Sequence, residues 1–319
     1  KKIVKTKVLF LVALFAVSTA AKAQQTSDEA TKNVTDGVLA TADADAAEGW
    51  SKGGVLGLNM GQVALSNWQG GGQSSISGTS LLSLFRNYKQ GKTAWDNSLD
   101  LAYGLLSQDN GPFIKSDDRI ELNSKYGRQF KNNEKLYYGG LVNFRSQFAP
   151  GFATVAQTNL ISRIMSPAYI TAAIGIDYKP TSAFSLFFAP VSYRGTVVLD
   201  PALNALGAYG VTANESVRHE MGGLVMIKFQ DDIMKNINLK SQATFFSNYL
   251  DRPENVDVLW DLLLTMKVNK YINASIGTTL IYDHDINIAT DDNNDGVFDV
   301  SGPKMQFKEV LNIGFAYKF

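Results

Sequence analysis

An all-β fold, a transmembrane antiparallel up-and-down β-barrel of about twelve strands, is what this sequence predicts. Three observations carry the prediction. From Gly53 onward, segments with alternating apolar and polar side chains recur, the period-two pattern of strands with a different medium on each face. The connections between these segments alternate between brief and long, as in outer-membrane barrels. The final segment, Lys308-Glu309-Val310-Leu311-Asn312-Ile313-Gly314-Phe315-Ala316-Tyr317-Lys318-Phe319, is apolar or aromatic at 311, 313, 315, 317 and 319. An open apolar edge invites pairing with other chains, whereas a closed barrel in a bilayer has no free edge and needs an apolar exterior.

Before the first strand, Lys1, Lys2, Lys5 and Lys7 precede an apolar run from Val8 to Val17, and Ala21-Lys22-Ala23 stands before Gln24. Residues 1–23 therefore read as a cleaved signal peptide. The run is too short for a spanning helix, which needs roughly twenty residues. Residues 24–49 are rich in Ala, Asp, Thr and Ser without periodicity and read as a flexible periplasmic leader; 50–319 is the outer-membrane barrel. The chain has no Cys, which excludes a disulfide framework and a lipid-anchored N-terminus. A mean hydropathy of −0.08 suits strands that alternate between lipid and lumen. Removing 1–23 takes five of the thirty basic residues and none of the thirty acids, leaving a formal charge of −5. Nothing here forms a basic footprint for nucleic acid.

Strands are expected near 53–66, 74–88, 94–108, 118–130, 136–147, 169–179, 183–198, 217–229, 237–249, 256–268, 271–282 and 304–319. In the third, Trp95, Leu99, Leu101, Tyr103 and Leu105 oppose Asp96, Ser98, Asp100, Ala102 and Gly104. In the sixth, Ile170, Ala172, Ile174, Ile176 and Tyr178 share a face, and in the tenth Val256, Val258, Trp260, Leu262, Leu264 and Met266 oppose Asp257, Asp261, Thr265 and Lys267. The lumen is expected to hold Asp96, Asp100, Arg119, Glu121, Lys125, Asn143, Arg145, Asp177, Glu220, Lys240 and Asp261. Mixed signs at this density pair with one another, because an unpaired charge away from water is costly. The brief connections (89–92, 131–135, 180–182, 230–236, 269–270) are assigned to the periplasm with both termini, and the longer ones to the exterior. Tyr88, Trp95, Phe130, Tyr137, Tyr178 and Tyr271 flank the brief turns, where an aromatic girdle lies.

Three strings, Leu65-Ser66-Asn67-Trp68-Gln69-Gly70-Gly71-Gly72, Asp117-Asp118-Arg119-Ile120-Glu121-Leu122 continuing to Lys125-Tyr126-Gly127, and Phe144-Arg145-Ser146-Gln147-Phe148-Ala149-Pro150-Gly151, resemble the Bacteroidota outer-membrane β-barrel family catalogued as domain of unknown function 3078. The resemblance runs from about Trp50 to Phe319. It implies location and lineage, and brings no activity or catalytic residue with it. Trp68, beside three glycines that tolerate tight turns, is a loop anchor that either docks on a partner or folds into the barrel mouth.

The sharpest local motif runs from Asp291 to Asp299. Asp291, Asn293, Asp295 and Asp299 stand at relative positions 1, 3, 5 and 9, Gly296 at 6 and the Val297 carbonyl at 7, a spacing that predicts a structural calcium ion in the last outside loop. Gly302 replaces the bidentate Glu of position 12, leaving Asp283 or Asp285 to complete the ligands; the plainer alternative is a solvated acidic loop. His284 between two aspartates and His219 beside Glu220 are the places to look for catalysis. Adjacent strand residues point to opposite faces and do not converge. The leading expectation is a non-enzymatic integral outer-membrane barrel, a scaffold or accessory subunit of an envelope complex that presents long extracellular loops. A narrow porin or specific solute channel is the alternative, and a barrel hydrolase the remote one. Expected partners are outer-membrane lipid, other outer-membrane or surface proteins and, during biogenesis, the barrel-assembly machinery; a nucleic acid is not among them.

Overall fold

The structure, a computed structural model, describes residues 48–64, 74–109, 111–152, 159–181, 183–269, 272–285, 287–290 and 300–319. The expected signal peptide, nearly all of the leader, Trp68, and the motif residues Asp291, Asn293, Asp295, Val297 and Asp299 lie outside the described residues. In chain order the elements are β1 (Gly49–Val63), β2 (Ser75–Gln90), β3 (Thr93–Gln108), β4 (Ile114–Phe130), β5 (Asn133–Ser146), β6 (Gly151–Phe152), β7 (Leu160–Ser162), β8 (Ala168–Tyr178), β9 (Phe184–Val197), the short helix α1 (Pro201–Ala205), β10 (Val217–Met234), β11 (Ile237–Asn248), β12 (Val256–Lys267), β13 (Ile272–Tyr282), β14 (Asn287–Thr290), β15 (Val300–Pro303) and β16 (Gln306–Lys318). Twelve of the strands close into one antiparallel barrel in the order β1-β16-β13-β12-β11-β10-β9-β8-β5-β4-β3-β2. The pairs β6–β7 and β14–β15 form small two-stranded sheets in the long loops.

The wall is inside-out relative to a water-soluble protein. Ile174 is 70 % exposed, and Leu122, Val142, Val191, Leu311 and Phe315 are exposed beside it on the outer face, while Asp100, Arg119, Glu121, Asp177, Glu220 and Lys240 are buried within. A continuous apolar exterior around a polar interior is what a lipid surround stabilises. At the short-turn end Trp50 meets Tyr88 and Trp95 in tilted contacts with ring centroids 5.0 and 6.0 Å apart, and Phe130 meets Tyr138 edge-on at 5.2 Å. Tyr138 replaces the expected Tyr137 in this girdle. Tyr137 pairs with Asp177 and so turns to the lumen.

Alternation breaks where the sequence supplies a reason. Pro190 in β9 has no N–H to donate, and the register shifts there on both sides, between Ile174 and Ile176 of β8 and between Gly222 and Leu224 of β10. Before the bulge Ser185, Phe187 and Ala189 are buried; after it Ser192 and Thr196 are. The bulge changes which residues of β9 face inward. One connection also differs from expectation: β10 runs through Asp231 and Asp232 to Met234 instead of turning at 230. Its acidic residues are not turn formers here: Asp231 and Asp232 stay in register with Leu239 and Asn238 of β11, and all of 231–234 is exposed.

The joint between β1 and β16 is short. Residues 55–59 pair with 314–318, whereas every other wall interface pairs ten or more residues. Phe319 closes the short-turn end of this joint, exchanging backbone hydrogen bonds with Gly54 at 2.9 and 3.0 Å. A Cβ at Gly54 would lie 2.6 Å from the Phe319 ring, so glycine makes the seat for that side chain. Among the described residues, 306–313 of β16 have β13 as register partner on one side and no β1 partner on the other.

Candidate functional site: the barrel lumen

Inward-facing charges fall into three levels along the lumen. Nearest the short turns, Lys125 donates to Asp177 Oδ2, and Lys179 Nζ stands 3.5 Å from the same oxygen. Lys125 lies 5.1 Å from the Phe187 ring centroid and Lys179 5.2 Å from that of Tyr137, within cation–π range. These side chains and Asp96 gather across this end of the lumen, and the void beside them against the wall at Gly127 and Gly139 is about 10 Å³. That is room for a single water.

Above this cluster a cavity of about 230 Å³ is faced by the cations Arg119, Lys125, Arg145, Lys228 and Lys240 and the acids Asp100, Glu121 and Asp261. The acids are held by their own wall: Ser83 donates to Asp100, Thr279 to Asp261 at 2.9 Å and Asn143 to Glu121 at 3.1 Å. Arg119 is only 1 % exposed, yet none of its three guanidinium nitrogens is hydrogen-bonded. The Glu121 carboxylate stands 3.9 Å from Nη1, beyond hydrogen-bond distance.

The third level lies toward the long loops. Arg194 chelates Glu220 through Nη2 and Nε at 2.6 and 2.8 Å and reaches Asp257 at 2.6 Å, with its guanidinium 4.2 Å from the Phe246 ring centroid. Arg218 joins Glu220 to Asp285, each at 3.2 Å. A second cavity of about 260 Å³ adjoins here and shares Asn143, Arg145, Thr171, Leu224, Thr244 and Leu259 with the first. At its mouth, burial pushes the Asp283 carboxyl above its ordinary range, against the pull of Arg194.

The rim is tied down by two buried carboxylates. Asp118 accepts from Phe148 N at 2.8 Å, Ala149 N at 2.7 Å and Lys115 Nζ at 3.1 Å. Asp200 caps α1, accepting from Ala202 N and Leu203 N at 3.0 and 3.1 Å, and its other oxygen pairs with Arg163 at 3.0 Å. Burial would raise the Asp200 carboxyl, but the Arg163 guanidinium and the two N–H groups outweigh it and hold the group below the carboxylate range. Beneath α1, Val198, Leu203 and Val211 form a small apolar core.

Every lumen residue read from the sequence faces the interior, as does Asp257 of the polar face of β12, and the structure adds Arg194, Arg218 and Lys228. Lys228, Arg218 and Glu220 share one parity along β10, so the signal for the first two was present; Arg194 was hidden by the bulge at Pro190. His219 sits on the outer face with Nδ1 2.8 Å from Tyr193 Oη, while neighbouring Glu220 is buried inside. His284 lies between Arg252 and Tyr282, 3.3 Å from each. Among the described residues, neither histidine is hydrogen-bonded to a side-chain carboxylate through its ring. Asp285 is engaged by Arg218 at 3.2 Å, and Asp283 accepts from Asp285 N at 2.9 Å. Gly302 is paired within β15 opposite Ile288.

The family described as "Protein of unknown function (DUF3078)" matches residues 60–152. That span contains all three strings quoted above; the match stops well short of Phe319. No curated protein matches the sequence. Among solved structures, an outer-membrane channel of Pseudomonas putida F1 aligns over 88 % of this chain and 98 % of its own, at 10 % identity and a TM-score of 0.42. The translocator domain of the autotransporter NalP from Neisseria meningitidis aligns over 89 % and 93 %, at 11 % identity and a TM-score of 0.39. The toluene transporter TodX of Pseudomonas putida aligns over 86 % and 90 %, at 9 % identity and a TM-score of 0.32. Likeness at these values implies no shared substrate.

Proposed function

We propose that this protein is a non-enzymatic barrel of the Gram-negative outer membrane, long loops outward and short turns in the periplasm, that admits a small polar solute to its lumen. It works as a narrow solute channel, closed at rest by the Lys125, Asp177 and Lys179 cluster. The observation that carries this reading is the pair of adjoining cavities above the Lys125, Asp177 and Lys179 cluster. A lumen serving only as filling would close such space, since interiors pack to high density. The Bacteroidota lineage rests on the three strings alone.

Planar-bilayer recording tests the proposal. The wild type should show little steady conductance, whereas Lys125→Ala combined with Asp177→Ala should give discrete, reproducible steps. A closed double variant that still shifts with heat on a gel, as a folded barrel does, would refute the channel.

A second reading, the scaffold subunit, is favoured by one observation. Ile164, Leu199 and Leu206 are exposed on the ordered cap around α1, Leu206 by 79 %, where water and not lipid surrounds them. Detergent pull-down with mass spectrometry should then recover stoichiometric envelope partners that Leu206→Ser loses.

A further inference from the structure

We infer that the larger-charge level of the lumen, around Arg119, is a binding site for a small organic carboxylate. The inference rests on the channel reading and names its solute class. A guanidinium carries five N–H donors, and leaving such a group buried without hydrogen bonds is costly. Arg119 is in that state, 1 % exposed and aimed into the 230 Å³ cavity. The acids facing the same cavity accept no hydrogen bond from it: Asp100, Asp261 and Glu121 accept from hydroxyl and amide donors of their own walls, and Glu121 makes only a loose ion pair at 3.9 Å.

The missing partner is therefore an acceptor that enters from outside, and the surrounding field says it is an anion. Lys228 and Lys240 face the same space from β10 and β11, so cations outnumber acids around it. A planar guanidinium fits a carboxylate or a phosphate in two-point fashion. Beside polar Asn143, Thr171 and Gln242, the wall also carries apolar Leu141, Leu224 and Leu263. Such apolar surface gains nothing from an inorganic ion but shelters the hydrocarbon body of an organic acid. Arg119 anchors the charged head, and the leucines take the tail.

Calorimetry on the purified barrel in non-ionic detergent tests this, with hexanoate as probe, hexanamide as its uncharged counterpart and inorganic phosphate as the ion without a body. Hexanoate should bind, hexanamide and phosphate at least about ten-fold more weakly, as expected for losing one charge-assisted hydrogen bond or the apolar contact. Arg119→Gln should weaken hexanoate by a similar factor while the heat-modified gel band is kept. Equal binding of hexanoate and hexanamide by the wild type would overturn the site, whether or not the variant folds. So would phosphate binding as tightly as hexanoate. Bilayer recordings separate the two ideas: steps in the opened double variant without hexanoate binding would sink the site and leave the channel, and binding without conductance would do the reverse.

Discussion

Replacing Asp118 by Ala should loosen the outer rim far more than the wall that carries it. The carboxylate is fully buried and holds Phe148 N, Ala149 N and Lys115 Nζ within 2.7 to 3.1 Å. Hydrogen bonds to a charged group contribute about 1.5–3 kcal/mol each, and removing one member of a buried ion pair costs about 3–5 kcal/mol, because the other charge stays behind. Lys115 keeps two acceptors, Gln147 Oε1 at 2.8 Å and the Ala149 carbonyl at 2.7 Å, so the lower end applies. About 3 kcal/mol, at roughly 1.4 kcal/mol per decade, is about a hundredfold rise in local opening at 147–149. Hydrogen exchange read by mass spectrometry should show that loss of protection in peptides spanning 144–152, with 120–130 of β4 unchanged. Asp118→Asn, which keeps one acceptor oxygen, should fall between. Protection in the Ala variant within about threefold of wild type would refute the clamp.

Acid should undo the α1 cap before it undoes the barrel. Because the Asp200 carboxyl is held below its unfolded value of about 3.9, its contribution is complete above that value and disappears as pH falls through the lower, folded one; exchange at Ala202 and Leu203 should accelerate there, and Asp200→Asn should exchange fast at neutral pH as well. Gly54→Val should drive the Phe319 ring from its seat, costing about 1–3 kcal/mol by overpacking, and lower the temperature at which the barrel shifts to its unfolded mobility; an unchanged transition would show the seat to be empty of consequence. If the Asp291–Asp299 stretch holds calcium with affinity on the order of 10⁻⁴ to 10⁻³ M, the ion should protect 283–303 from protease, and Asp295→Ala should abolish that protection while insertion persists. Equal cleavage with and without calcium would leave a solvated acidic loop.

The wall was legible because lipid enforces alternation. In β3, β8 and β12 every second residue is apolar, and the structure gives those residues the outer face. Where alternation is broken by chemistry that acts through the backbone, the reading slipped: Pro190 displaced Arg194 into the lumen, and only the bulge it forces on both neighbours reveals this. Asp118 was missed as a clamp for another reason. Its parity points it outward, and what buries it is the returning 147–149 segment, a contact that no local pattern encodes. The lack of hydrogen bonds at the Arg119 guanidinium was equally illegible, since it depends on three other strands supplying donors to the acids and none supplying an acceptor to the guanidinium.

The brevity of the β1–β16 joint governs the order in which the barrel is made and unmade. Of all the wall's ladders it joins the strands farthest apart in sequence, so it closes the longest loop and offers the fewest hydrogen bonds in return. The circle should zip from β2 through β13 first and be fastened last at 55–59, with Phe319 dropping onto Gly54 as the latch. On heating the same place parts first. Until then 306–313 of β16, which among the described residues have no β1 partner, are held from the β13 side alone, and Met60, Leu311 and Ile313 stand exposed along that part of the joint.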